Sequence, residues 1–183
     1  MGRSSARRFL LALSLFSAIT LSTEAKGGTD MTLTISTDAF KEGEIIAREH
    51  TCEGADVSPA LKWQGAPAGT KSFALIVDDP DAPSGTFVHW VAYDLPASLV
   101  GLKRGEKAGN RFKEGVNGFG KTGYNGPCPP RGHGRHRYFF KLYALDVETL
   151  GLKKPGADKR EVEAAIRGHA LGEAKTMGTY ERK

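Results

Sequence analysis

The sequence predicts a mostly-β single domain layered as a sandwich, with one helix near the C-terminal end. Three observations carry this. Ser72 to Val77 (SFALIV) is a continuous apolar run of strand length, as a strand covered on both faces requires, and such a strand needs a layer on each side, which favours a sandwich over a barrel. Thr86 to Leu95 (TFVHWVAYDL) and Arg137 to Leu145 (RYFFKLYAL) are rich in aromatic and β-branched residues, the composition of strands. The chain has 183 residues, enough for one well-cored domain and too few for two.

In chain order, Lys26 to Asp30 reads as a flexible start. Met31 to Thr37 (MTLTIST) alternates apolar and polar residues like a half-buried strand, and Ala60 to Gln64 (ALKWQ) alternates again. Between them Glu49 to Pro59 is dense in turn formers and reads as a loop. The strand at Ser72 to Val77 is expected to stop at Asp78-Asp79-Pro80-Asp81-Ala82-Pro83, where two prolines cannot continue a ladder. Glycine is abundant, 23 residues where average usage gives roughly 13. Ten of them lie from Gly101 to Gly134, so that stretch is expected to be loop and mobile. Near the end Asp158 and Glu161 have capping-box spacing, and Val162, Ala165, Ile166 and His169 follow at helical intervals. The count is six or seven strands and one helix.

Residues 1–25 read as a signal peptide. Arg3, Arg7 and Arg8 precede the apolar run Phe9 to Leu21, and Thr23 and Ala25 supply small residues for cleavage after Ala25. A run of that length is short of the roughly 20 residues a bilayer span needs. The expected protein is therefore periplasmic or secreted, with a flexible segment 26–30, a single domain 31–183 and no membrane anchor after cleavage. Loss of the leader lowers the net charge from +5 to +3, too mild for a nucleic-acid binder. In an oxidising compartment Cys52 and Cys128 are expected to pair; two buried thiols or one reactive thiol are the alternatives.

Some motifs mislead. Gly115 to Thr122 (GVNGFGKT) matches the phosphate-binding P-loop pattern, but neither flank offers the buried strand before it or the helix after it that the mechanism needs. His133 and His136 approach zinc-ligand spacing, yet residues three apart on a strand face opposite ways. They read as one loop and one pocket histidine, with no metal expected. Cys128 with His136 as base is a conceivable nucleophile, which a disulfide to Cys52 would preclude.

Three clusters remain: Asp79 to Pro83 at a strand end, His89-Trp90 in the next strand, and the turn from Tyr124 through Gly126-Pro127-Cys128-Pro129-Pro130 to His136-Arg137-Tyr138. On a strand His136 and Tyr138 share a face while Arg137 points away. With Cys52-Glu-Gly and Ser58-Pro59-Ala-Leu-Lys-Trp63, these clusters resemble the phosphatidylethanolamine-binding protein family, specifically its bacterial Raf-kinase-inhibitor-like branch of YbhB/YbcL type, over about Thr34 to Tyr180. The resemblance implies a sandwich of two antiparallel sheets with flanking helices and a small surface pocket for phosphate-like anions, including the phosphorylethanolamine head group. It assigns that pocket to Asp79, His89, His136 and Tyr138, with Gly126, Cys128, Pro129 and Pro130 as one wall and Pro83 shaping the loop. Asp81, Trp90 and Arg137 support the motif. Only Ser84 to Val88 separate the acidic motif from His89, so that side should be more open than in eukaryotic members.

Imidazole and phenol groups can donate to phosphate oxygens, whereas Asp79 is expected to orient a histidine and hold it protonated. The expected function is an exported, non-catalytic binding protein without cofactors, taking a phosphate-type anion or phospholipid head group. The alternatives are a protein-interaction module, with a protease as partner, and a hydrolase using the His/Asp/Tyr cluster.

Overall fold

The computed structural model describes residues 1–2, 32–152 and 156–183. The rest of the expected signal peptide, the segment 26–30 and Met31 lie outside the described residues. The smaller sheet is built from β1 (Thr34–Ser36), β2 (Leu61–Gln64) and β5 (Gly101–Leu102). The larger contains, from edge to edge, β6 (Lys113–Glu114), β4 (Phe87–Pro96), β3 (Ser72–Asp79), β7 (His136–Leu145) and β8 (Ala170–Tyr180). Every neighbouring pair is antiparallel.

Alternation along the strands produces two apolar layers. Phe73, Leu75 and Val77 of β3 face inward with Tyr138, Phe140 and Leu142 of β7, against Ile35, Leu61 and Trp63 of the smaller sheet. Ala74 and Ile76 face the other way and, with Val91 and Tyr93, pack under Val162 and Ile166 of α1 (Lys159–Ile166). β3 is buried at all eight positions, which is why Phe73 to Val77 runs without a polar alternate.

The helix starts as its capping box dictates: Glu161 N donates to Asp158 Oδ1 (2.9 Å) and Asp158 N donates to Glu161 Oε2 (2.9 Å). His169 is not on it; it lies past the helix end, its Nδ1 2.8 Å from Asp146 Oδ1.

Three expectations need correction. β3 runs on through Asp78 and Asp79 instead of stopping before them. Asp78 is tolerated inside the sheet because Lys141 Nζ (2.9 Å) and Lys159 Nζ (2.5 Å) both donate to its Oδ2. The eleven-residue β8 had no sequence signal, since ALGEAKTMGTY is poor in strand formers. It is an edge strand, and its Gly178 lets Phe40 and Ile46 press against the backbone, where a Cβ would collide with both.

The glycine-rich stretch is also tied down more firmly than its composition suggests. Gly115 N donates to Val91 O and Gly118 N to Val88 O, both at 2.8 Å, and Asn125 N donates to His89 O at 3.0 Å. The loop is thereby stitched along β4.

Candidate functional site

Antiparallel order brings the C-terminal end of β3 beside the N-terminal ends of β4 and β7. Asp79, His89 and His136 therefore meet at one end of three adjacent strands. They line a cavity of ≈ 300 Å³, together with Ala82, Pro83 and Ser84 of the β3–β4 loop, the rings of Phe87 and Phe119, and Cys128, Pro129 and Pro130.

His89 owes its direction to a β-bulge. Val77 pairs with Trp90 and Asp78 with Val88, so His89 is left without a partner in the ladder. Such a bulge re-aims a side chain. Here Trp90 stays in the core, its Nε1 donating to Glu114 Oε1 (3.0 Å), while His89 turns into the cavity.

Both pocket imidazoles are fixed through Nδ1. His89 Nδ1 is 2.8 Å from the Asn125 carbonyl oxygen, and since a carbonyl only accepts, Nδ1 carries the proton. His136 Nδ1 is 2.7 Å from Asp79 Oδ2, with both side chains buried. Asp79 Oδ1 accepts from Asp81 N (2.8 Å), so this carboxylate is occupied on both oxygens. His133, expected to be a bystander in the loop, places its Nδ1 2.8 Å from His136 Nε2. Asp79, His136 and His133 thus form a line from the buried floor to the exposed turn.

Burial is the dominant influence on His89 and pushes its pKa below the ordinary histidine value, while the Asn125 carbonyl and the charge of Asp79 oppose it less strongly. The Asp79 charge favours the protonated ring, but by less than burial disfavours it.

Tyr138 is fully buried and does not line the cavity. It lies beneath His89, edge-on with ring centroids 5.1 Å apart. Its hydroxyl has no hydrogen-bond partner of standard geometry, and burial, followed by the charge of Asp79, pushes its pKa up. Gly126 also stands behind the lining, where a Cβ would run into the His50 carbonyl oxygen. Asp81 and Arg137 lie outside as a surface pair: Arg137 Nε and Nη2 donate to the two Asp81 carboxylate oxygens at 2.9 and 2.7 Å.

The proline wall is held from behind. Cys52 and Cys128 form a disulfide with Cα atoms 5.4 Å apart, and Cys52 N donates to Pro127 O (3.1 Å). Asp56, at a left-handed φ of 54°, accepts from Gly126 N (2.6 Å) and Asn125 Nδ2 (3.1 Å). Tyr124 Oη donates to His50 O (2.7 Å). The disulfide removes the reading of Cys128 as a nucleophile.

The sequence reading missed Phe87 and Phe119. Phe87 was detectable two positions before His89 on the same strand; Phe119 is the large apolar residue in a loop of glycine and polar residues. Among the described residues no helix follows the P-loop match that contains Phe119; within the match Asn117 N donates to Lys121 O (2.8 Å) across a turn.

A sequence model described as "Phosphatidylethanolamine-binding protein" matches residues 36–181. A UPF0098 protein of Aquifex aeolicus is 53% identical over 149 residues, covering 79% of this chain and 85% of its own. One from Pyrococcus abyssi is 44% identical over 181 residues, covering 96% and 99%. Among solved structures, a putative phosphatidylethanolamine-binding protein homologue of Chlamydia trachomatis superposes with a TM-score of 0.77 at 35% identity, covering 84% of this chain and 99% of that one. YbcL of E. coli, described as a member of the mammalian PEBP family, gives 0.76 at 33%, covering 82% and 99%. With its two antiparallel sheets and the Asp-His-His cluster at one end of the larger, the chain belongs to the phosphatidylethanolamine-binding protein family.

Proposed function

We propose that this is an exported, non-catalytic binding protein whose pocket takes phosphate-type anions, phosphorylethanolamine head groups among them. The observation that carries this reading is the pair of pocket imidazoles, each anchored through Nδ1: His89 keeps its Nε2 for a ligand, while His136 Nε2 meets Nδ1 of the exposed His133. With a second proton on the ring, the His89 Nε2–H is a directional donor to a phosphate oxygen. Asp79, the only carboxylate on the wall, has both oxygens engaged, which blunts its repulsion of an anion.

Binding without catalysis is supported by the fate of the possible nucleophiles. Cys128 is bonded to Cys52, and Ser84 on the exposed rim makes no hydrogen bond to either imidazole among the described residues. A nucleophile needs a base within hydrogen-bond reach. Export is supported by the basic-then-apolar start of the sequence and by the disulfide.

The deciding experiment is calorimetric titration of the mature protein with phosphorylethanolamine at pH 6, beside a His136→Ala variant. Saturable binding that weakens in the variant supports the reading. No heat of binding to the wild type, with the fold intact, overturns it.

A further inference from the structure

We infer that Phe119, seated edge-on against Phe87, makes the pocket selective for phosphate esters bearing a ring-sized apolar group over those bearing a small one or none. This rests on the anion reading above and adds the other half of the ligand.

The donors and the rings occupy different parts of the cavity wall. His89 and His136 provide the polar contacts. Phe87 and Phe119, with ring centroids 4.8 Å apart, both meet the His89 ring, at 5.3 and 5.7 Å. An ester whose anionic oxygens reach the His89 Nε2 therefore carries its remaining atoms along an aromatic corner. Size agrees: a cavity of ≈ 300 Å³ holds roughly ten non-hydrogen atoms at about 30 Å³ each, the share of a liquid water. Inorganic phosphate has five. The rest of the space lies against apolar walls, where burying an apolar group is favourable and a hydrated anion gains nothing.

The loop holds Phe119 in place by built features. Asn117 is buried; its Oδ1 accepts from Phe119 N (2.9 Å) and Lys121 N (3.2 Å), and its Nδ2 donates to Gly123 O and Asn125 Oδ1, both at 2.9 Å. Gly118 lies so close to Phe87 that a Cβ there would sit 2.6 Å from the ring. Gly120, at φ 71°, closes the turn in a conformation that favours glycine. All this fixes the backbone that carries Phe119, a residue still 42% exposed. An apolar group preorganised at a pocket mouth gives selectivity at little ordering cost. The stretch that mimics a P-loop in sequence is, in the fold, an aromatic wall.

The test is calorimetric titration of wild type, Phe119→Ala and Phe119→Leu with methyl phosphate and phenyl phosphate at one pH, with thermal melts to verify folding. Wild type is expected to prefer phenyl phosphate tenfold or more, the scale of one well-placed aromatic contact. Phe119→Ala should lose that preference, its affinity for phenyl phosphate falling about tenfold more than its affinity for methyl phosphate. Phe119→Leu should fall between. Equal affinities for the two esters in wild type, or a preference that survives in Phe119→Ala, overturns the inference and leaves the anion reading intact. If neither ester binds wild type, the anion reading fails and the selectivity falls with it.

Discussion

His136 Nδ1 stands 2.7 Å from Asp79 Oδ2, a buried imidazole–carboxylate contact that joins the start of β7 to the end of β3. The carboxylate accepts, so the proton sits on Nδ1, and Nε2 meets His133 Nδ1 at 2.8 Å. The bond fixes the tautomer and the rotamer together. Asp79→Asn should cost about 1.5–3 kcal/mol, the scale of a hydrogen bond to a charged group. It should also release the Nδ1–H tautomer. Urea melts measure the first and the ¹⁵N shifts of the His136 ring the second. Unchanged ring shifts in a folded Asp79→Asn protein would mean that Asp79 does not set the tautomer.

His136 and Arg137 are adjacent in sequence and opposite in role. His136→Ala removes an imidazole from the cavity wall, with its contacts to Asp79 and His133, and should weaken phosphorylethanolamine binding by about 1.5–3 kcal/mol. Arg137 faces away from the cavity, and its hydrogen bonds to Asp81 hold that carboxyl below the usual carboxylate range. The Arg137 side chain is half-exposed, so Arg137→Ala should cost only about 0.2–1 kcal/mol of stability and leave affinity unchanged. Calorimetry and melts on both variants separate the two effects. Equal loss of affinity in both would displace the site.

Much of the fold was legible because its signals are local. The apolar run of β3, the aromatic density of β4 and β7 and the Asp158–Glu161 cap all act within a few residues. What was not legible depends on pairing. β8 is a strand because β7 offers it a partner along its length, not because of its composition. The bulge that turns His89 into the cavity is a property of the register between β3 and β4, and no pattern within β4 announces it. Alternation placed Tyr138 on the same side as His136, but not its depth: the smaller sheet covers that side, and Tyr138 ends beneath the floor. Phe119 was hidden by a loop whose packing against Phe87 depends on the hydrogen bonds to β4.

The disulfide connects positions 76 apart and ties the proline wall to the loop that carries Asp56. Closing a loop of that size restricts the unfolded chain and should contribute about 2–4 kcal/mol. The Cys52→Ser, Cys128→Ser double variant should therefore melt earlier and bind phosphorylethanolamine more weakly, because the wall loses its anchor. Differential scanning calorimetry, paired with titration below the lowered transition, reads both. A variant with unchanged affinity would show that the hydrogen bonds from Cys52 N and to Asp56 hold the wall without the disulfide.

Burial leaves His89 neutral more readily than a free histidine, with its proton on Nδ1 and a lone pair on the Nε2 that faces the pocket. An anion seated there requires a second proton on the ring, so binding and proton uptake are linked. Affinity should rise as pH falls through the window between the His89 pKa in the complex and its lower value in the free protein. The slope within that window is at most tenfold per pH unit. Stability of the unliganded protein runs the other way. A histidine pKa depressed by folding adds stability that is fully present above the unfolded value, about 6.5, and is lost as pH drops toward the folded value. Sulfate is the suitable probe, because it does not titrate in this range and any proton taken up must go to the protein. Titrations at pH 7 in two buffers of different ionisation enthalpy should register up to one proton gained per sulfate bound, and His89→Gln should abolish the uptake. Sulfate binding with no proton uptake in wild type would show that the anion is held without a protonated His89.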